Sequence, residues 1–230
     1  MKILGIIPAR IGSKGVRKKN IKLLNGKPLI SYTYEDAKNS KQINRLIVST
    51  ESKEIKKVCT RLGMDVPFLR PSTLSMDDTP TIDVVKHAIK EMEKNGEYYG
   101  AICLLQTTTP FRHKNLIDSA IKQFKIKNCD SLISVQKVPN KYHPNWTFQP
   151  DGNGFLHRNK HQGRLVSRRQ DLDYVFYRDG SLYLTATKTI KNHSDLYGNK
   201  IAFIEHKPVF HVNIDTNTDW EKAKKYSRTI

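Results

Sequence analysis

The sequence predicts an α/β protein with a mostly parallel, doubly wound (Rossmann-like) sheet and a small β-rich insertion. Short apolar runs typical of buried strands alternate with helix-like segments from residue 1 to about 136. Prolines, glycines and aromatic residues interrupt this alternation over about 137–178, after which it resumes. Such alternation is typical of βαβ units, whose helices cover both faces of a parallel sheet. We therefore expect a single domain over residues 1–230 that contains the insertion.

The part of the chain before the insertion is predicted to alternate strands with helices. Ile3–Ile7 has the length and the β-branched content of a buried strand. Further runs of this kind are Arg45–Ser49, Asp65–Phe68, Ala101–Leu105 and Ser131–Val135. Helices are predicted between them at about 28–39, 53–62, 80–94 and 114–126. Pro28 and Pro80 suit first helical turns, and Ser52 suits an N-cap.

The insertion and the end of the chain follow different patterns. Pro144, Pro150, Asp151-Gly152 and Gly154 are turn residues, so we expect short strands joined by turns in the insertion. Three later runs are predicted strands: Ser181–Thr185, Ile201–Glu205 and Val209–Ile214. A final helix is predicted at about 217–228.

The charge of the chain narrows the class of partner. A net charge of +18, from 40 Lys and Arg against 22 Asp and Glu, attracts anions. The lysines are scattered through helix-like segments, and neither an RNA-binding motif nor a zinc-finger spacing is present. We therefore favour a site for an anionic small molecule and expect no nucleic-acid partner. A basic nucleic-acid-binding protein stays the alternative from a different class.

Apolar runs and cysteines indicate the compartment. No apolar run reaches the length of about 18 residues needed to span a membrane, and the N-terminus does not resemble a signal peptide. Cys59, Cys103 and Cys129 are far apart and fit neither a metal pattern nor a disulfide framework. Cys103 lies inside an apolar run, where we expect core packing. The expectation is a cytoplasmic protein without membrane association.

The loop after the first strand has the composition of a polyphosphate site. Gly12 and Gly15 let backbone N–H groups approach a ligand, and nearby cations neutralise its charge. The cations include Arg10, Lys14, Lys18 and Lys19. The spacing matches neither the Walker A pattern nor Gly-x-Gly-x-x-Gly, so the loop belongs to neither of those phosphate-binding classes.

Pro8–Gly15 followed by Lys19-Asn20 resembles the signature of the acylneuraminate cytidylyltransferases, the CMP-sialic acid synthetases and related CMP-nonulosonate synthetases. Further segments match this family in the same order: Gly26–Ile30, Val48–Thr50, Arg70-Pro71, Leu104–Arg112, Arg168–Leu172 and Ile214–Thr216. The resemblance covers nearly the whole chain. It implies an enzyme that joins a nonulosonic (sialic-acid-like) sugar to CMP at the expense of CTP, releasing pyrophosphate, for cell-surface glycan biosynthesis.

The resemblance places the triphosphate of CTP at the first loop. Arg10 and Lys19 would hold the phosphates, and Asn20 would contact ribose or phosphate. Backbone amides, including those of Gly12 and Ser13, would complete the cradle.

The base and the junction between the two substrates are assigned to later motifs. In the family, the arginine that matches Arg70 lies beside the base, where a guanidinium can donate to cytosine acceptors. Family members often have a serine near the ligand in the neighbourhood of Thr79. Gln106 ends a predicted buried strand, and the resemblance implies that it bridges the ribose and the acceptor sugar. Arg112 is expected to be structural.

The acceptor sugar is assigned partly to the insertion. In the family, an arginine of the Arg168–Leu172 run handles anionic substrate groups, and a guanidinium suits the sugar carboxylate. The sequence leaves Arg168 and Arg169 open, as well as a purely structural pair with Asp171. Lys141 is a further sugar-binding candidate. The resemblance also implies that the insertion is a dimerisation arm that packs onto the partner's active site, which predicts a homodimer.

Asp215 follows a predicted strand and is expected to bind Mg²⁺ beside the triphosphate. Family members often carry a second acidic residue two positions earlier, where this chain has Asn213, a candidate ligand through its carbonyl. Asp219 is expected to cap the final helix. Arg10, Lys19 and Asp215 are the predicted catalytic residues. None of the eight histidines lies in a matched motif, so the sequence identifies no general base.

The enzyme that activates KDO (2-keto-3-deoxy-manno-octonic acid) with CTP is the alternative within the same chemistry. Its first loop usually has arginine and proline where this chain has Lys14-Gly15 and Lys19-Asn20. We therefore rank it below a nonulosonate enzyme. The sequence leaves open which nonulosonic acid is used.

Overall fold

The structure, a computed structural model, describes residues 1–158 and 166–229. Its strands are β1 (Ile3–Pro8), β2 (Leu23–Leu24), β3 (Lys27–Pro28), β4 (Arg45–Ser49), β5 (Ala101–Leu104), β6 (Ser131–Lys137), β7 (Phe148–Pro150), β8 (Leu156–Arg158), β9 (Phe176–Ala186) and β10 (Ile201–Glu205). Its helices are α1 (Leu29–Lys38), α2 (Lys53–Arg61), α3 (Thr81–Lys94), α4 (Leu116–Lys127), α5 (Thr187–His193) and α6 (Asn217–Tyr226).

The central sheet has six strands in the order β10-β6-β9-β5-β1-β4. β1 is parallel to both β4 and β5, and β10 is parallel to β6. β9 lies antiparallel between β5 and β6. The predicted mostly parallel sheet is therefore confirmed, with one strand that enters from the segment at 137–178 and runs in the opposite direction.

Helices cover both faces of the sheet, as the doubly wound prediction requires. Ile3 and Ile7 of β1 pack in a core cluster with residues of α1, α2 and α4. Leu4 and Ile6 pack in a second cluster with residues of α3 and α5. Because successive side chains of a strand point to opposite faces, the apolar run of β1 supplies both clusters.

Two predicted strands are wrong. Asp65–Phe68 only borders the end of β4, where the Val48 N–H donates to the Asp65 carbonyl at 2.8 Å. Val209–Ile214 does not form a strand. Val212 and Ile214 are buried against Trp220, whereas Val209 is 94% exposed. In both segments, individual apolar residues are buried in the core, but the backbone does not form a β-strand.

Two further elements differ from the sequence-based expectation. β9 starts five residues before the predicted Ser181–Thr185 and ends one residue after it. α5 was not predicted, because its seven residues are too few to give a helical period. The predicted helices exist with ends shifted by no more than two residues, which is the usual uncertainty of helix ends.

Capping residues fix several helix starts. The Ser52 side chain accepts from the Ile55 N–H at 3.2 Å, which confirms the predicted N-cap of α2. Thr216 and Asp219 form a reciprocal capping box at α6, which confirms that Asp219 is a cap. Pro28 and Pro80 stand at the N-cap positions of α1 and α3 and not in the first turn.

The three cysteines are buried free thiols. Cys103 is fully buried in the core, as predicted, and burial raises the pKa of its thiol to about 12. In the ranges that the structure describes, no helix is both long and apolar enough to cross a membrane.

Candidate active site

A cleft of about 440 Å³ opens where β1 and β5 end. Crevices beyond the carboxyl ends of parallel strands are the usual ligand sites of such sheets. The predicted site residues that line the cleft are Arg10, Ser13, Lys19, Asn20, Arg70, Thr79, Gln106 and Asp215. Residues separated by about 200 positions in sequence therefore surround one space.

The first loop is pressed against the segment that carries Asp215. A Cβ atom added to Gly15 would lie 1.8 Å from the Asp215 carbonyl oxygen, so only glycine fits at this position. A Cβ atom at Gly12 would meet nothing within 4 Å. Gly12 itself does not line the cleft, and packing within the chain does not require it to be glycine.

The polar side-chain atoms of Lys19 and Asn20 form hydrogen bonds within the protein. Lys19 Nζ donates to the Ile214 carbonyl at 2.5 Å and to Asp215 Oδ1 at 3.3 Å. Asn20 is buried, and its Nδ2 donates to the Arg10 carbonyl at 2.8 Å. Asn20 Oδ1 accepts from Thr107 Oγ1 at 2.6 Å. Asn20 therefore ties the first loop to the end of β5.

Asp77 is a site residue that the sequence analysis missed. Its Oδ1 lies 2.8 Å from Arg10 Nη1, and its Oδ2 lies 2.5 Å from Lys14 Nζ. The hydrogen bond from Lys14, and then that from Arg10, lower the pKa of the Asp77 carboxyl. The acidic pair Asp77-Asp78 before α3 was the available signal in an otherwise basic chain.

The Arg70 side chain is buried and donates hydrogen bonds to three neighbouring residues. Nε donates to Ser75 Oγ at 2.9 Å, Nη1 donates to the Ser49 carbonyl at 3.2 Å, and Nη2 donates to Glu51 Oε2 at 3.3 Å. Glu51, which the sequence analysis also missed, accepts from the Ile11 N–H at 2.8 Å. Burial lowers the pKa of Arg70, and the Glu51 carboxylate opposes that shift. Glu51 and Arg70 together tie the first loop to the end of β4.

Gln106 is held in place by Arg112 through its backbone. Arg112 Nη2 donates to the Gln106 carbonyl at 2.6 Å, Nε donates to the Ser181 carbonyl at 2.9 Å, and Nη1 donates to Thr33 Oγ1 at 2.9 Å. The Arg112 side chain is 1% exposed. The structural role predicted for Arg112 is confirmed, since its guanidinium is committed to the protein.

Asp215 offers a carboxylate at the cleft. Its side chain is 59% exposed, and Asn213 Nδ2 donates to its Oδ2 at 2.7 Å. Asn213 does not line the cleft, but it hydrogen-bonds to Asp215, which does. Among the described residues, no group of three or more His, Cys, Asp or Glu could hold a metal ion unaided. Mg²⁺ is commonly bound by one or two carboxylates together with substrate phosphates, so this donor set fits Mg²⁺ in the presence of a polyphosphate.

The three candidates of the insertion lie away from this cleft in the described chain. Arg168 forms a two-pronged pair with Asp171, at 2.7 Å from Nε and 3.1 Å from Nη2. Lys141 Nζ lies 4.7 Å from the centre of the Tyr142 ring. Arg169 is exposed. None of Arg168, Arg169 and Lys141 lines the cleft of its own chain.

Comparison with known proteins gives matches over nearly the whole chain. A family model described as "Cytidylyltransferase" matches residues 4–229. The chain is 32% identical to the CMP-N,N'-diacetyllegionaminic acid synthase of Legionella pneumophila, over 98% of this chain and 96% of that protein. It is 30% identical to the pseudaminic acid cytidylyltransferase of Campylobacter jejuni, over 97% of this chain and 95% of that protein.

The fold is shared with a solved structure of lower sequence identity. A CMP:2-keto-3-deoxy-manno-octonic acid synthetase complexed with CTP superimposes with a TM-score of 0.75 at 16% identity, covering 100% of this chain and 99% of that one. At this identity the likeness establishes the fold.

Proposed function

Because the chain belongs to the cytidylyltransferase family, we propose that it transfers CMP from CTP to a nonulosonic acid and releases pyrophosphate. The observation that supports this most is the cleft, where the cations Arg10 and Lys19, the carboxylate Asp215 and the amide Gln106 surround one space. Pyrophosphate release that requires both CTP and a nonulosonic acid tests the proposal.

In the proposed reaction, the anomeric hydroxyl of the sugar attacks the α-phosphorus of CTP. The bond between the α-phosphorus and the oxygen that bridges it to the β-phosphorus breaks, and pyrophosphate leaves. Arg10 and Lys19 neutralise the pyrophosphate as it leaves. Among the described residues, two carboxylates line the cleft, Asp77 and Asp215; both are paired with cations, and no histidine of the described chain lines the cleft. We therefore assign the hydroxyl proton to water or to a phosphate oxygen of the substrate.

Asp215 is the proposed protein ligand of Mg²⁺, with Asn213 orienting its carboxylate. When bound, the metal would supply positive charge to the triphosphate without a titratable proton. Lys19 contacts the same carboxylate and therefore faces the same phosphates.

The cytosine base is assigned to the neighbourhood of Arg70 and Thr79. Four hydrogen bonds already use the Arg70 guanidinium, to Ser75 Oγ, to the carbonyl and hydroxyl of Ser49, and to Glu51. Because a guanidinium has five N–H donors, one N–H of Nη2 is left for a cytosine acceptor. Burial and the ion pair fix the direction of that donor.

Asp77 pairs with the cations that face the proposed triphosphate site. Arg10 and Lys14 must leave this carboxylate before they can bind phosphate oxygens. We expect Asp77→Asn to lower the KM for CTP severalfold with a smaller change in kcat, measured by steady-state kinetics. Asp78→Asn is the matched control, since Asp78 does not line the cleft. A higher KM in Asp77→Asn would instead place Asp77 among the groups that bind the nucleotide.

The acceptor end of the site is proposed to be completed by a second copy of the chain. The described residues of the segment from 137 to 178 expose large apolar side chains, namely those of Tyr142, Phe148, Phe155, Leu156, Tyr174 and Tyr177. Exposed apolar side chains in this number are typical of protein interfaces. In such a homodimer, the insertion of one chain would bring Arg169 and Lys141 to the cleft of the other. Arg169 is favoured for the sugar carboxylate because Arg168 is already paired with Asp171.

A mixing experiment tests this arrangement. Lys19→Ala and Arg169→Ala proteins are each expected to be nearly inactive, the first through the nucleotide and the second through the sugar. After co-expression, about a quarter of the wild-type activity is expected, because one of the two sites in each mixed dimer receives both intact residues. Mixing Lys19→Ala with Arg10→Ala is the control and should restore nothing. No recovery with Arg169→Ala, or full activity of Arg169→Ala alone, would contradict the shared site.

A further inference from the structure

β9 contains a large bulge where it passes β6. The ladder pairs Val135 with Arg178 and Ile133 with Tyr183. Four residues of β9, 179–182, therefore stand opposite Ser134 alone. Bulges re-aim side chains and occur frequently beside active sites. This one leaves backbone groups of β9 without ladder partners, so side chains must replace them.

Buried polar side chains supply the missing partners. The side chains of Asp179 and His206 are both 0% exposed, and His206 Nδ1 contacts Asp179 Oδ2. Ser134 Oγ donates to Asp179 Oδ1 at 2.5 Å and accepts from the Leu182 N–H at 2.8 Å. The Ser181 N–H donates to Asp179 Oδ1 at 3.0 Å. Burial alone would raise the pKa of Asp179, but the hydrogen bonds from His206 and Ser134 hold it well below its usual value.

The tautomer of His206 follows from its other partner. The His113 N–H donates to His206 Nε2 at 3.1 Å, so Nε2 is an acceptor. A neutral imidazole with an acceptor at Nε2 carries its proton on Nδ1, which then donates to Asp179. His206 thus connects the bulge of β9 to the loop that follows Gln106.

The bulge places this hydrogen-bond network next to Gln106, which lines the cleft. Gly180 has a φ of +78°, and a Cβ atom added there would lie 3.2 Å from Gln106 Oε1. Thr109 Oγ1 donates to the Gly180 carbonyl at 2.9 Å. His211 Nε2 lies 3.0 Å from the Asp179 carbonyl oxygen, in the segment that leads to Asp215. The buried pair therefore stands directly behind Gln106 and beside the chain that presents the proposed metal ligand.

We propose that Asp179 and His206 are positioning residues that hold the bulge of β9 against the Gln106 amide and so orient Gln106 toward the acceptor sugar. This inference rests on the proposed function. It goes beyond it because neither side chain lines the cleft. Gln106 is also expected to contact the ribose, but CTP is held by the first loop and Arg70 as well, so loss of the positioning pair should impair use of the sugar far more than binding of CTP. A pair that only stabilised the fold would affect both substrates alike.

Two substitutions of His206 separate its two hydrogen bonds. Asparagine places an amide near the position of Nδ1 and keeps the donation to Asp179. Glutamine reaches the position of Nε2 and keeps only the contact with the His113 N–H. We expect His206→Gln, but not His206→Asn, to lower kcat/KM for the sugar by about 10- to 100-fold, the loss typical of a misplaced reacting group. The Kd for CTP, measured by calorimetry, should stay within about twofold in both variants.

Thr185→Val is the matched control on the same strand. It removes a partly buried hydrogen bond from Thr185 Oγ1 to the Leu196 carbonyl, at 2.7 Å, and keeps the branched shape of the side chain. It should lower the melting temperature and leave the kinetics of both substrates unchanged. Asp179→Asn is a second variant of the network, with the same expected result as His206→Gln.

The side-chain amide signal of Gln106 in the ¹⁵N NMR spectrum gives a readout that does not need activity. It is assigned by its loss in Gln106→Glu. It should shift in His206→Gln and stay in place in His206→Asn and Thr185→Val, even if the wild-type chain fails to use CTP. An unmoved signal, equal losses for sugar and CTP, or loss of folding in both His206→Gln and Asp179→Asn would overturn the positioning role.

Discussion

Lys19→Ala is expected to lower kcat/KM for CTP by about 30- to 1,000-fold, which corresponds to about 2–4 kcal/mol of transition-state stabilisation. The Lys19 side chain is only 12% exposed and ends beside Asp215. Its charge therefore acts at short range and with little screening on a pyrophosphate leaving from the same place. Arg10→Ala removes the other phosphate contact that we propose, and a loss in the same range is expected.

Lys18→Ala is the control for this loss. Lys18 precedes Lys19 in the same loop, but its Nζ pairs with Glu54 at 2.8 Å, and it does not line the cleft. A surface pair of this kind contributes little, so the kinetics should remain close to wild type. Steady-state kinetics with CTP varied at saturating sugar measure the three variants together. Near wild-type values for Lys19→Ala would show that its charge only pairs with Asp215.

Asp215→Ala is expected to lower kcat by about 100-fold or more at any Mg²⁺ concentration, because a metal ion contributes several kcal/mol of charge stabilisation. Asp215 lines the cleft, and the other carboxylate that lines it in the described chain, Asp77, is paired with Arg10 and Lys14. Excess chelator should abolish the activity of the wild-type chain. Full activity in excess chelator would show that the reaction does not need a metal ion.

Asn213→Asp gives the opposite test of the same site. It adds a second carboxylate beside Asp215, with which Asn213 now shares a hydrogen bond. The Mg²⁺ concentration needed for half-maximal activity should fall, since a second negative ligand strengthens binding of a hard cation. An unchanged Mg²⁺ requirement would mean that residue 213 does not face the metal.

Local sequence patterns predicted the position of the first loop, whose residues Arg10, Ser13, Lys19 and Asn20 line the cleft. A buried strand, β1, ends in a glycine-rich basic loop, and this juxtaposition indicates an anion site at the carboxyl end of a parallel sheet. The fold class followed from the same alternation of strands and helices. The wrong strand at Val209–Ile214 shows the limit, because isolated anchors such as Ile214 imitate a strand when only hydrophobicity is considered.

Contacts between distant segments were out of reach of these patterns. Asp77 reaches Arg10 across more than 60 positions, and Glu51 joins Ile11 to Arg70. Nothing in the spacing of single acidic residues shows which cation each one meets. The i,i+3 pair of Arg168 and Asp171 was visible as one of the open alternatives, because it needs only local geometry.

The proposed reaction is tested most directly by pyrophosphate release with CTP, Mg²⁺ and a panel of acids. The panel contains N-acetylneuraminic, legionaminic and pseudaminic acids, with KDO and a reaction without acid as controls. We predict release with at least one nonulosonic acid, formation of the corresponding CMP-sugar, little release with KDO, and a strong preference for CTP over ATP and GTP. Absence of release with all three nonulosonic acids, or equal rates with ATP, would contradict the account.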